Sequence, residues 1–221
     1  PMLDALKIRA LVIPNRLSRQ LLPLAETLKD DSGSIDLLRK KRDDQWQGSC
    51  ALTSSAVETL IARCGSPGEA GALSRRNIMV LGAGGAAAGI IKACTAQQGL
   101  VSVTAPKDAD AQALAGQLHC RFVPFQNVYD TLADVAIIAD PGLKCGVLHG
   151  CLNPVLFKAG MTVVDASDPP MEHPLFEEAR QRGCAVIEPA EVFAAQIARQ
   201  FYSITGQELP ASAFASGLSE E

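Results

Sequence analysis

From Leu73 onward, short continuous apolar runs alternate with stretches in which apolar residues recur every three to four positions. Runs at 78–81, 100–104, 121–124, 135–139, 162–164 and 185–187 predict strands, near-continuously apolar as strands buried on both faces are. Segments at 86–98, 109–118, 153–158 and 174–182 predict the helices between them. Regular alternation of this kind predicts an α/β fold with a doubly wound parallel sheet. A last helix is predicted over 190–205, with Phe193, Ile197, Phe201 and Ile204 along one stripe, Gln196 beside it and Gly206 at its end. That stripe needs a partner outside the parallel sheet, so the helix is expected to pack back on the N-terminal part of the chain.

The first 64 residues carry a different pattern. Residues 2–7 read as the end of an amphipathic helix, and 9–13 as a short strand stopped by Pro14. Residues 21–29 have helical period, with Pro23 in the first turn. Segments 35–39 and 46–50 flank Asp43-Asp44 as a hairpin, and 53–64 reads as a helix capped by Thr53 or Ser54. Gly65-Ser66-Pro67-Gly68-Glu69-Ala70-Gly71 has no period and marks a boundary. The expected organisation is an N-terminal unit at 1–64, an α/β unit at 73–188, a returning helix at 189–207 and a small polar tail at 208–221.

The chemistry begins where the first strand of the α/β unit ends. Asn77-Ile78-Met79-Val80-Leu81 runs into Gly82-Ala83-Gly84-Gly85-Ala86-Ala87, and a helix pattern follows. A Rossmann-type unit needs this order: glycine for the tight turn, glycine for the approach of a pyrophosphate, then glycine or alanine for close helix–sheet packing. Gly82, Gly84 and Ala87 stand in those places.

Composition narrows the choices. Of 221 residues, 48% are hydrophobic and 20% charged, with a net charge of −4. Arg39-Lys40-Lys41-Arg42 is the only basic run, and it reads as a solvated strand end rather than a nucleic-acid patch. No apolar stretch reaches membrane-spanning length and no signal peptide is present, so a cytoplasmic location without membrane or nucleic-acid partners is expected. Seven cysteines without a C-x-x-C pair read as reduced, small hydrophobes, and three dispersed histidines give no metal spacing. Pro1 is not an initiator: the chain is either cut from a longer multidomain protein or carries a protease scar before Met2.

From about residue 8 to residue 206 the chain resembles the shikimate dehydrogenase family, including the form fused behind a type I dehydroquinate dehydratase. The resemblance rests on segment order, on the glycine segment, on Pro174-Leu175-Phe176-Glu177-Glu178-Ala179, and on Gln196 through Phe201 with Thr205-Gly206. It implies an NADP-binding lobe beside a lobe for a small polyhydroxylated acid such as shikimate or quinate. The implied reaction is hydride transfer between 3-dehydroshikimate and shikimate. Carried over residue by residue, cofactor contacts fall to Gly82, Ala83, Gly84, Gly85, Ala86, Lys107 and Ala139, and substrate contacts to Asn15, Asp36 and Gln196.

Departures from the family pattern concentrate where chemistry is expected. The T-x-P-x-K segment is Val12-Ile13-Pro14-Asn15-Arg16, which puts Arg16 at the catalytic lysine. A guanidinium stays charged and cannot share a proton with a reacting hydroxyl, although it can hold a carboxylate. The catalytic aspartate position holds Leu52, and the substrate asparagine position holds Asp36, an anion facing an acid substrate. The N-R-T segment that clamps the 2′-phosphate of NADP is Ala105-Pro106-Lys107, and the N-A-T segment is Ile138-Ala139-Asp140. Two expectations follow: an oxidoreductase of feeble or no activity with weak NADP binding, or a catalytically silent, ligand-sensing relative like the repressor of quinate metabolism. Two other acid-edge residues have local readings: Asp165 as crevice-facing or turn-capping, and His173 as structural.

Overall fold

The computed structural model describes residues 6–29, 33–64, 71–144, 151–167, 169–210 and 213, without the side chains of Asn15 and Arg16. Most of the predicted helix at 2–7, most of the glycine-rich boundary segment and nearly all of the tail beyond Pro210 lie outside them, while Leu6 and Lys7 form a turn rather than a helix end.

Strand β1 (Ala10–Val12) ends before Pro14, whose extended backbone forms the N-cap of helix α1 (Asn15–Leu21). The helix expected over 21–29 is therefore displaced. Pro23 has no N–H to continue the helical ladder, and the chain passes through a 3₁₀ turn (Leu22–Leu24) into the two-residue strand β2 (Thr27–Leu28). The expected hairpin is present as β3 (Leu37–Lys40) and β4 (Trp46–Ser49), antiparallel with Leu38 opposite Gly48. These strands make a four-stranded sheet ordered β1-β3-β4-β2. Gly48 is needed for close packing, since a Cβ there would lie 2.7 Å from Ile35 Cγ2. Trp46 packs against the small cluster of Ile13, Ile35 and Leu38, as hairpin packing rather than a stacking platform.

Helix α2 (Ala51–Cys64) begins before Thr53 and Ser54, so neither is its cap. Beyond it come β5 (Asn77–Leu81), α3 (Gly85–Ala96), β6 (Leu100–Thr104), α4 (Asp108–Leu118), β7 (Arg121–Phe122), β8 (Val135–Ile138), β9 (Thr162–Asp165), α5 (Pro174–Gln181), β10 (Ala185–Ile187) and α6 (Pro189–Thr205). The six strands are parallel and ordered β10-β9-β8-β5-β6-β7, the doubly wound arrangement expected. Successive side chains of β5 serve opposite faces: Ile78 and Val80 join the cluster under α2 and α3, Met79 and Leu81 the one under α5. Ala56, Val57 and Leu60 of α2 lie in the first cluster, so the helix that ends the N-terminal segment shares the parallel sheet's core.

Two other expectations need correction. The segment 153–158 holds only a 3₁₀ turn (Pro154–Leu156), begun by Asn153, whose Oδ1 accepts from Val155 N at 3.0 Å. In α6 the buried face is Pro189, Val192, Gln196 and Gln200, while Phe193 and Ile204 are 41% and 44% exposed. The helix does return to the N-terminal sheet and α2, with Val192 in the apolar cluster beside α2 and Gln196 and Gln200 facing Asp36, so glutamines rather than aromatics face inward there. Gly206, at φ +73, ends it in the left-handed conformation, its N–H donating to Tyr202 O at 2.8 Å. Cys151 is disulfide-bonded, which corrects the reading of seven reduced thiols; Cys50, Cys64, Cys94, Cys120 and Cys184 are free. Sequence spacing carries no information on such a pairing, which proximity in the fold decides. No helix among the described residues is long and apolar enough to cross a membrane.

Candidate functional site

The glycine segment forms the turn from β5 into α3. Gly82 sits at φ +131, and a Cβ there would lie 3.0 Å from Asp140 Cβ, so both its dihedral and its neighbour demand glycine. Gly84 is the extended N-cap of α3, with no side-chain cap, and a Cβ on it would meet nothing within 4 Å. The first N–H groups of a 12-residue helix thus face an open approach, which suits a phosphate. Gly85 differs: a Cβ there would lie 2.3 Å from the carbonyl oxygen of Gly33. The loop before β3 is seated directly on the start of α3. Ala83 is partly exposed beside this turn, Ala86 and Ala87 are buried beneath it, and Ala139 lies buried just past β8.

Around this cradle stand one lysine and three carboxylates. Lys107, at the start of α4, is 75% exposed and ion-paired with Asp110 at 3.0 Å. Asp140 abuts Gly82, its Oδ1 accepting from Gly142 N at 2.8 Å. Asp108 Oδ1 accepts from Phe125 N at 2.8 Å. The pyrophosphate cradle therefore fits the group, whereas the adenosine end presents one tethered lysine among carboxylates.

On the other side of the junction, Asp36 is 4% exposed and organises three elements. Its Oδ1 accepts from Ala51 N at 2.8 Å and its Oδ2 from Leu52 N at 2.7 Å, capping α2 from 15 residues upstream. Its Oδ2 also accepts from Gln196 Nε2 at 3.1 Å, and its backbone carbonyl from Gln200 Nε2 at 3.4 Å. Burial raises its pKa above the usual carboxylate range, opposed by these hydrogen bonds. The structure thus joins two sequence candidates, Asp36 and Gln196, to each other. The Gln196 Oε1 is buried and has no partner in the structure. Gln200 was not singled out in the sequence; its spacing of four from Gln196 on one helix face was the available signal.

Leu52 is 2% exposed and lies in the large apolar cluster with Cys50, Ala56 and Val192. The position that the resemblance assigns to a catalytic carboxylate is a core position. Cys50 is buried too, with Ser34 Oγ donating to its Sγ at 3.5 Å and its Sγ sharing a hydrogen bond with Thr53 Oγ1 at 3.2 Å, which either atom can donate. Burial, then the charge of Asp36, push this thiol up, which makes it a poor nucleophile. Asn15 and Arg16 open α1 beside this cluster, because Ile13 N donates to Asp36 O at 2.8 Å and Ile35 N to Ser18 Oγ at 2.7 Å.

Asp165 resolves toward the turn. Its carboxylate accepts from Ser167 N and Oγ, from Met171 N, and from Lys144 Nζ at 2.8 Å. His173 Nδ1 accepts from Leu175 N at 3.2 Å and caps α5. Among the described residues no group of three or more His, Cys, Asp or Glu is placed to hold a metal ion.

No protein-family model matches the chain. The chain is 30% identical over 148 residues to the NADP(+) shikimate dehydrogenase of Dehalococcoides mccartyi, which covers 62% of this chain and 52% of that protein. The crystal structure of shikimate dehydrogenase from Aquifex aeolicus superposes with a TM-score of 0.82 at 20% identity, covering 99% of this chain and 80% of that one. The Thermus thermophilus enzyme, solved with NADP(H) and shikimate, gives 0.76 at 22% identity, covering 94% of this chain and 77% of that one. The chain is similar to the shikimate dehydrogenases in sequence and in fold. It spans about half the length of the curated relatives it matches first.

Proposed function

We propose that this chain is a shikimate dehydrogenase-like oxidoreductase unit with weak or no turnover, and that its NADP affinity is low. The carrying observation is Leu52, buried in the core at the place of the catalytic carboxylate. One acid–base group contributes roughly 10²- to 10⁴-fold in rate. With Arg16 at the lysine position as well, no proton-sharing pair remains at the expected place. The ligand class is a small polyhydroxylated acid such as shikimate or quinate. Gly82, Gly84, Gly85 and Ala86 would hold the pyrophosphate of NADP through backbone N–H groups, and NADP when bound would supply the hydride acceptor. Lys107 is drawn to Asp110 and Asp140 stands beside the turn, which supports low affinity without selectivity for the 2′-phosphate.

The test is NADPH formation with shikimate and with quinate at mildly alkaline pH and high protein concentration. No formation above buffer is expected; clear turnover by the unmodified chain overturns the proposal. A second reading, a ligand-sensing relative, is favoured by Arg16, which can hold a carboxylate permanently while exchanging no proton. Calorimetry separates the two: a sensor binds shikimate or quinate measurably with no turnover.

A further inference from the structure

We infer that this protein carries a second ligand site, independent of the junction between the sheets, for a compact phosphate-bearing polyanion. A cavity of about 570 Å³ opens between the start of β1, the β3–β4 turn and the end of α6. Arg9, Arg39, Lys40, Lys41 and Arg42 line it, with Asp43, Ala10 and Ile204 completing the wall. These are five of the chain's 20 lysines and arginines, gathered on a protein of net charge −4. Its volume is in the range of small-molecule sites, roughly 300–1,000 Å³. The sequence alone read Arg39-Lys40-Lys41-Arg42 as a solvated strand end; the fold bends it, with Arg9 from β1's side, around a concavity.

Two details argue for a ligand-sized anion rather than a flat charged face. Lys40 N donates to Arg9 O at 2.8 Å and Lys41 N to Gln45 O at 2.8 Å, so the backbone that presents the cations is fixed on both sides of the turn. Arg39 is fixed as well, its Nη1 donating to Ser203 O at 2.6 Å. Two nearby carboxylates make only long pairs with these cations: Asp44 lies 4.0 Å from Arg9 and Asp43 lies 3.9 Å from Lys41, whereas Lys40, 13% exposed, holds Asp44 at 3.4 Å. The two long pairs are worth little and yield to a stronger anion. Guanidinium forks match phosphate oxygens in pairs, lysines add point charge, and Ala10 with Ile204 gives an apolar wall for an organic portion.

The experiment is calorimetric titration of the full chain with pyrophosphate and, in parallel, with citrate at matched ionic strength. Lys41→Glu with Arg42→Glu reverses the turn's charge without touching the Arg39 tether to α6. Gly84→Asp instead places an anion at the open start of α3. Pyrophosphate should bind the unmodified chain more tightly than citrate, and the doubly reversed variant should bind it at least about tenfold more weakly. Gly84→Asp should leave that affinity within about twofold. A milder pair, Lys41→Ala with Arg42→Ala, should show a smaller loss in the same direction, with circular dichroism unchanged. Binding lost in Gly84→Asp but kept in the charge-reversed variant would overturn the site, as would equal affinity for citrate or no binding by the unmodified chain.

Discussion

The two sides of the junction have fared differently. On the α3 side, the recognition elements belong to the main chain: a turn at Gly82, an open N-cap at Gly84 and the first N–H groups of the helix. Those survive because only backbone conformation and the absence of a Cβ are required. On the Asp36 side, recognition and chemistry would depend on particular side chains, and those present serve the fold instead. Asp36 caps α2 and holds Gln196, and Leu52 fills the core. A backbone-borne site asks less of the sequence than a side-chain-borne one does.

The largest effect should come from trying to restore chemistry on the eroded side. Leu52→Asp places a carboxylate in an apolar cluster and should cost about 4 kcal/mol or abolish folding. Urea denaturation reads it, and a variant as stable as the parent would mean that position 52 faces the junction after all. Arg16→Lys with Leu52→Asp should therefore recover no shikimate-dependent NADPH formation.

Neighbouring glycines sharpen the contrast next. Gly85→Ala forces a Cβ against a carbonyl oxygen and should destabilise by roughly 2–4 kcal/mol. Gly84→Ala meets open space at an extended N-cap and should change stability by less than about 1 kcal/mol. Equal effects at both positions would show that the Gly33 loop is not seated on α3.

Asp36→Ala removes a double cap and should cost about 2 kcal/mol. Its pH dependence has a definite sign. A carboxylic acid raised above its unfolded value binds its proton more tightly in the native state, so its contribution is full below the unfolded pKa and declines as pH rises through the folded one. The stability advantage of the parent over Asp36→Asn should be greatest below about pH 4, the ordinary carboxylate value, and shrink as pH rises above it. Paired urea curves check this, and an advantage that grows with pH would reverse the assignment. The smallest effect belongs to the nucleotide side. Asp140→Asn lifts a negative charge beside Gly82 and should tighten NADP binding about threefold, as an exposed charge in high dielectric allows.

What the sequence disclosed follows the same division. The strands at 78–81 and 100–104 were legible because both faces are buried and most of their residues carry the signal. Two-residue β2 is too short to have a period, and Pro23 hid the shift of helix from 21–29 to α1. The stripe predicted on α6 differs from the buried face because apolar period assumes an apolar partner throughout, and here Val192 meets the apolar cluster at α2 while Gln196 and Gln200 meet Asp36. The α2 cap could not be found locally, since its carboxylate comes from across a hairpin. The site's outlines came from the glycine segment and from family resemblance; the burial of Leu52 came only from the fold.

The tether from Arg39 to Ser203 also sets a schedule for synthesis. The two residues are 164 positions apart, as are Asp36 and Gln200. At roughly 5–20 residues per second, the ribosome delivers the closing helix about 8–30 s after the hairpin it fastens. Throughout that interval the Asp36 carboxylate has its two α2 amides but neither glutamine, and the face of β3 that α6 covers is bare. The helix that closes the N-terminal sheet emerges well after the strands it covers, so the nascent chain offers chaperones a long window on them.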